Sequence, residues 1–462
     1  MAVAWFRRRK GPGPLQRALA LERTPLEGAA QSGTSSAAEA MPRRAAFPQR
    51  FPAFRATASD QPRDANRDQF AEARLALSVA YTPSQPIIDT AMFAGRSGVL
   101  TAVIRSIEDQ RLNVVAFGER GIGKTSLMHV VSHAAREARY VVSYISCGAD
   151  SSFDETIRVV ARDIPLIFHR DFGPNALESE RGGDFSVCLP GEPLSVRQAT
   201  DVLAKVVGTR VLVVLDEFDK VESSSFRRNI AELIKTLSDR AIRVQVMVAG
   251  VAASLAALVD HIPSIQRSIF ALAVPRMTGA EIHELIRLGE ERSALRFEGA
   301  AHDLVVTAAN GLPYLASLLC HHAGLEAISR FRLLVAAGDV DVAVANVLGE
   351  QQSRISKRAL ARIAACVAEG AGPALGGLAN LAQLSGGAFV LDDGASSPEE
   401  PACASGFAKK LAAEGVLLER SEEAYGVVYR FAEDELPNYL WLLAAQARFR
   451  EEDKKIYGRR SS

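Results

Sequence analysis

The chain has 462 residues, 48% of them hydrophobic, and 54 lysines and arginines balance 54 aspartates and glutamates to a formal net charge of zero. This is globular composition with length for about three domains, and no apolar run approaches the roughly 18 residues that a membrane span needs. The five cysteines, Cys147, Cys188, Cys320, Cys366 and Cys403, lack any CxxC or Cys-His spacing, so no zinc site is expected and a reducing, cytoplasmic location without a membrane partner is.

The neutral total conceals a split. Residues 1–70 hold 12 basic and 6 acidic residues, against 42 and 48 in the remainder, so a basic arm precedes an acidic body. Up to about residue 67 the sequence is rich in Pro, Ala, Arg, Gly and Ser without a sustained apolar period, and such a segment cannot bury enough apolar surface to offset its ordering entropy. Residues 1–80 are therefore expected to be a mostly disordered tail, with a first helix over 67–79. The same Arg-rich, acid-poor start also has the composition of an organellar transit peptide, although nothing downstream supports that reading.

From Asn113 onward, short β-branched runs alternate with helical patterns. Strands are predicted at 113–117, 140–146, 210–215, 243–249 and 268–274. Runs this apolar are buried on both faces, as in a parallel sheet covered by helices. The stretch 167–193 interrupts the alternation with Gly173-Pro174, Gly182-Gly183 and Pro190-Gly191, and is expected to be a long surface insertion.

After Val274 helices take over. Thr278 and Glu281 form a capping box that opens a helix to about 291. A second helix ends at Asn310-Gly311, and a third runs over 313–329 from a proline in its first turn. The last section reads as a helix (354–367), a Gly-rich connection, an apolar segment (378–384), a helix (405–414) capped by Gly415, and a hairpin over 416–419 and 425–431. That order suggests a winged helix-turn-helix.

Gly118-Glu119-Arg120-Gly121-Ile122-Gly123-Lys124-Thr125 fits GxxxxGK[ST] between a buried strand and a helix. Glycines suit it because a Cβ would block the approach of phosphates to the backbone N–H groups of the turn and helix N-terminus. Lys124 would reach the β and γ phosphates and the Thr125 hydroxyl would ligate Mg2+, with Ser126 beside it on the helix. The strand Val211 to Leu215 ends in Asp216-Glu217. Asp216 is assigned to the Mg2+ and Glu217 to polarising the attacking water; a solvated turn is the plain alternative, and Asp219 is further from the chemistry.

With these motifs in this order, the chain resembles AAA+ P-loop ATPases, in particular the branch that holds STAND-type signalling ATPases and origin-recognition-type initiators. The resemblance implies an α/β P-loop core at 81–275, a helical lid at 276–350, a winged-helix domain at 351–450 and a charged tail at 451–462. Met92-Phe93-Ala94-Gly95-Arg96 is similar to the element that lies against the adenine in this branch, without the acidic residue that usually follows. Phe93 is otherwise ordinary core. Gly311-Leu312-Pro313-Tyr314 resembles the Gly-x-Pro element, in which Pro313 would pack near the base; a helix cap followed by a helix-starting proline explains it equally. Arg267 stands where the arginine finger of a neighbouring subunit is expected, a surface salt bridge being the alternative, and Arg276 is a weaker candidate for the same charge. Val248-Ala249-Gly250 lacks the polar side chain that many relatives use to position water, and no second sensor arginine is assignable, so hydrolysis is expected to be slow.

His129 and His133 have the i, i+4 spacing of metal ligands, but Val130 stands where a metalloprotease needs its Glu, and packed or surface histidines explain them and His321-His322 better. The implied function is an ATP- and Mg2+-binding, homo-oligomeric ATPase switch that acts on DNA through the basic arm, Lys409-Lys410, Arg420, Arg430, Lys454-Lys455 and Arg459-Arg460. The alternative is a signalling or assembly switch that acts on a protein partner without binding DNA.

Overall fold

In the computed structural model, residues 69–458 are described apart from 89, 173–181, 192, 252–266, 386, 392–403 and 423–425. The tail before residue 69, Gly173-Pro174, Cys403 and Arg459-Arg460 lie outside the described residues.

The five apolar runs become β1 (Asn113–Gly118), β2 (Val141–Ser146), β3 (Val211–Asp216), β4 (Val244–Val251) and β5 (Ile269–Ala273). They form one parallel sheet in the order β2-β3-β4-β1-β5. All six residues of β3 are buried, as a central strand covered on both faces requires. Helices α1 (Gln69–Ala80), α2 (Ser97–Glu108), α3 (Lys124–Glu137), α4 (Phe153–Asp163), α5 (Val196–Leu203) and α6 (Ser224–Asp239) precede or connect the strands. This strand order, with the glycine loop between the interior strand β1 and α3, is a P-loop AAA+ core.

Helix α1 is not part of a tail. Ala73, Leu77 and Tyr81 lie on one face at helical spacing, are all but fully buried, and the Tyr81 hydroxyl donates to the Ile286 carbonyl at 2.7 Å. The boundary expected at residue 80 therefore falls at or before 69 among the described residues, because a single 73/77/81 stripe suffices to dock a short helix.

The insertion is also more integrated than its composition implies. Phe185 is fully buried, as is Leu166 just before the insertion, and His169 is nearly so; the His169 ring packs edge-on against both Phe172 and Phe185. Isolated aromatic anchors leave no periodic signal, so the sequence reads as loop where the chain adds to the core beside α4.

The lid comprises α7 (Gly279–Ser293), α8 (Gly299–Ala309), α9 (Pro313–Ser329) and α10 (Ala337–Gln352). The Thr278–Glu281 capping box closes in both directions, Asn310 ends α8 in the left-handed region, and α9 starts at Pro313. Strands do not stop altogether after β5: β6 (Arg296–Phe297) and β7 (Leu334–Val335) pair in parallel, each too short to leave an alternating pattern.

The last section holds α11 (Lys357–Ala368), α12 (Gly372–Leu384), β8 (Ala388–Val390), α13 (Ala404–Ala413), β9 (Leu417–Glu422), β10 (Gly426–Phe431) and α14 (Leu436–Gly458). The strands form an antiparallel sheet in the order β8-β10-β9. The Gly-rich connection expected before Leu378 is the first half of α12. A Cβ on Gly376 would lie 2.6 Å from the Ala444 Cβ, so glycine here is not a breaker but the condition for close approach of α12 and α14.

Candidate functional site

Parallel strands deliver their C-terminal ends to one edge of the sheet, and the loops after β1 and β3 meet there. Gly118, Gly121 and Gly123 have φ of +150°, +79° and +93°, and Gly121 and Gly123 sit in the region that L side chains rarely adopt without strain. The turn thus exposes backbone at the N-terminus of α3, where N–H groups and the helix dipole favour an anion. Ile122 is fully buried and anchors the turn. Arg120 is exposed.

Lys124 is only 8% exposed. Its Nζ donates to the Gly118 carbonyl at 2.9 Å and the Glu119 carbonyl at 2.8 Å. Burial lowers its pKa to about 8, against the opposing pull of Asp219, Asp216 and Glu119. The ammonium therefore stands in a recess where Asp219, Asp216 and Glu119 all act on its charge. Thr125 and Ser126 follow at the start of α3, and the Ser126 hydroxyl accepts from the Ile87 N–H at 3.1 Å.

Asp216 is 4% exposed at the end of β3. It accepts from the Tyr144 hydroxyl at 2.7 Å and from the Glu217 N–H at 2.8 Å, while His129 stacks flat on the Tyr144 ring. Register pairs Ser146 with Asp216 across β2 and β3, which lets the Ser146 hydroxyl donate to Glu217 at 2.9 Å. Lys220 donates to the other Glu217 oxygen at 2.6 Å and, as the main cause, lowers the Glu217 pKa. Glu217 adopts φ +55°, a strained setting for a non-glycine residue. Asp219 accepts from the Val251 N–H at 2.8 Å, tying the turn after β3 to the end of β4.

Two further elements converge on the glycine loop. Arg96 is 5% exposed and donates to the Ile122 carbonyl at 2.5 Å and the Pro275 carbonyl at 2.6 Å; burial lowers its pKa to about 10. Partly buried Phe93 packs three residues before it. The carboxylates facing this segment come from α7: Glu281 accepts from the Arg96 N–H and Glu284 from the Gly95 N–H. From the lid, a Cβ on Gly123 would meet Pro313 at 3.4 Å and one on Gly121 would meet Tyr314 at 3.3 Å.

The structure thus brings Gly118 to Ser126, Asp216, Glu217 and Pro313 to one edge, while Phe93 is partly buried three residues before Arg96. It does not bring Arg267 there. Arg267 is exposed just before β5, and β5 begins beside Asn113, the first residue of β1. It sits at the opposite end of the strands from the loop of its own chain, on the order of 15 to 20 Å away at the usual rise. Sequence reasoning missed Tyr144, Ser146 and Arg96 as supports, and gave Arg276 only a finger's role. The period of β2 places Tyr144 and Ser146 on one face, but only the β2–β3 pairing shows that this face meets Asp216.

The residues fit a nucleoside polyphosphate with a divalent cation: an open N–H-lined turn, a buried lysine and a carboxylate fixed by two donors. His133 lies 3.8 Å from Glu137, and no group of three His, Cys, Asp or Glu side chains among the described residues is arranged to hold a metal ion. No helix among them is long and apolar enough to cross a membrane.

A model of the family described as novel STAND NTPase 1 matches residues 86–358. No curated protein matches the chain. Among solved structures, the chain is similar to the Aeropyrum pernix ORC1 protein in complex with DNA, at 17% identity and a TM-score of 0.42 over 81% of this chain and 98% of that one. A Walker-type ATPase of Pyrococcus abyssi gives 14% identity and a TM-score of 0.45 over 77% and 98%. The Thermotoga maritima RuvB Holliday junction branch migration motor gives 14% and 0.37 over 73% and 92%.

Proposed function

We propose, from the premise that this chain belongs to the novel STAND NTPase 1 family, that it is an ATP- and Mg2+-binding switch that hydrolyses ATP slowly and changes the relation of its core (81–275), lid (276–350) and winged-helix module (351–450). The observation that carries the reading is buried Lys124, held on the loop carbonyls within electrostatic reach of Asp216. Thr125 and Asp216 would hold Mg2+, which when bound neutralises phosphate charge and polarises the transferred phosphoryl group. The loop N–H groups from Gly118 to Ser126 would wrap the phosphates, and Phe93 and Pro313 would flank the base. Tyr144 fixes the rotamer of Asp216 by its hydrogen bond. Glu217 would orient the attacking water. Lys220 and Ser146 keep it anionic and divide its hydrogen-bonding capacity, which together with apolar Val248 and Ala249 accounts for slow turnover. Arg267, remote from its own loop, would serve a neighbouring subunit, so efficient hydrolysis needs a homo-oligomer.

A pH dependence follows from Lys124. Bound polyphosphate favours the ammonium, and with the free pKa lowered to about 8 the free protein must take up a proton to bind at higher pH. Affinity for ATP is flat below pH 8 and falls above it, by up to roughly 30-fold at pH 9.5. Calorimetric titrations in two buffers of different ionisation heat measure that uptake; a flat affinity between pH 7 and 9.5 contradicts it.

The output is assigned to the C-terminal module acting on a protein partner. Lys410 and Arg430, two cations offered to DNA, already face Glu369 at 3.2 Å and Asp434 at 2.9 Å. The second reading, DNA contact, is favoured by exposed Lys409 and by the basic composition before residue 70. ATP turnover and mass, measured with and without duplex DNA at two salt concentrations, separate the two. A nucleotide-dependent change of mass that ignores DNA is expected; salt-sensitive stimulation by duplex would favour the DNA reading instead.

A further inference from the structure

Arg276 lies in the turn between β5 and α7 with its side chain 14% exposed. It is gripped at both ends. Nε and Nη2 each donate to one oxygen of Glu119, inside the phosphate loop, at 2.6 Å. Nη1 donates to the Asn310 carbonyl at 2.6 Å, with the Gln383 Oε1 at 3.5 Å. The Asn310 amide then donates to Gln383 at 2.7 Å, and the Gln383 amide to Asn438 at 2.8 Å. One hydrogen-bonded chain therefore runs from the phosphate loop through the C-terminal cap of α8 to α12 and α14.

The cap cannot drift from Arg276. Gly311 has φ +74°, and a Cβ there would lie 2.6 Å from the Met277 carbonyl oxygen and 2.9 Å from the Arg276 Cβ, while the Met277 N–H donates to the Gly311 carbonyl at 2.9 Å. Gln383 is 6% exposed, so its amide has little water to turn to if a partner leaves. Bidentate guanidinium–carboxylate pairs hold one geometry, and side-chain networks away from water lose more than one bond when a member departs.

We infer that the chain Glu119–Arg276–Asn310–Gln383–Asn438 is a latch through which the phosphate loop controls the C-terminal module, and that polyphosphate on the loop opens it. A polyphosphate at the loop competes with Glu119 for the Arg276 guanidinium. A shift of that planar group toward the phosphates withdraws Nη1 from the Asn310 carbonyl and from the Gln383 Oε1, so the cap residue whose amide holds Gln383 is no longer fixed, which loosens α12 and α14. The inference rests on the nucleotide-binding reading above for its trigger, but the latch itself is present without it. Arg276 acts here as a positioning residue.

Amide hydrogen exchange on the full chain, with and without saturating ATP and Mg2+, tests the trigger. In the wild type, ATP is expected to raise exchange severalfold in α12 and α14. In Gln383→Leu, or in Asn438→Ala at the far end, exchange there is already raised without nucleotide, ATP adds less than twofold, and ATP affinity stays within about twofold of wild type. Wild-type protein that binds ATP with unchanged exchange in α12 and α14 overturns the inference, as does a Gln383→Leu variant that responds like wild type. A second arm needs no nucleotide: melting temperatures of Glu119→Gln, Gln383→Leu and the double variant. Non-additive losses are expected for residues joined through Arg276. Additive losses refute the latch, whereas a protein that binds no ATP refutes the nucleotide reading.

Discussion

Replacing Lys124 by alanine is expected to weaken binding of ATP with Mg2+ by about 100-fold or more. Its Nζ is nearly buried and already aligned by the Gly118 and Glu119 carbonyls, so little rotamer entropy remains to be lost on meeting phosphate. Charge-assisted hydrogen bonds contribute about 1.5 to 3 kcal/mol each, and two of them amount to roughly two decades in affinity or more. The substitution also strips both carbonyls of their donor and loosens the turn. Lys124→Arg is not a rescue, because a planar fork does not fit a recess shaped for a compact ammonium. Fluorescence anisotropy with a labelled ATP analogue checks both variants. Loss of less than about fivefold in Lys124→Ala would remove this lysine from the phosphate site.

Glu217→Gln is expected to behave in the opposite way, keeping ATP affinity within about threefold while cutting turnover by about 10² to 10⁴, the range for loss of a positioned acid–base group. The amide is nearly isosteric, so the bond from Ser146 can persist. The pair with Lys220 is lost at little cost, because Glu217 is 41% exposed on its side chain and exposed pairs contribute little. Single-turnover phosphate release separates chemistry from binding. Equal losses in affinity and turnover would show that Glu217 shapes the pocket and does not orient water.

What could be read from the sequence had one property in common: the cause of each feature lay within a few residues of it. The glycine loop, the apolar strand before Asp216, the Thr278–Glu281 box and the proline opening α9 are each a local spacing with a local reason, and all four stand where they were expected. The supports around them depend on which strands neighbour one another. Tyr144 and Ser146 reach Asp216 and Glu217 only because β2 lies beside β3, a pairing across 70 residues of chain that includes an insertion. Arg276 gave an arginine-finger signal, yet its guanidinium is spent on Glu119 and Asn310, from elements on either side of it in sequence. Gly372 to Gly377 look like a loop because glycine is read as a breaker; tight packing on Ala444 reverses that meaning. Helix α1 was legible as a helix and not as part of the body, since the lid surface that receives Leu77 and Tyr81 is built some 200 residues later.

The glycine loop, Lys124 and Asp216 are assigned to an ATP and Mg2+ site, and equilibrium binding of ATP to the wild-type chain with and without Mg2+ tests that assignment most directly. Saturable binding of one ATP per chain, strengthened by Mg2+ and lost in Lys124→Ala, is the expected result; a wild-type chain that binds no ATP in the presence of Mg2+ would contradict the account.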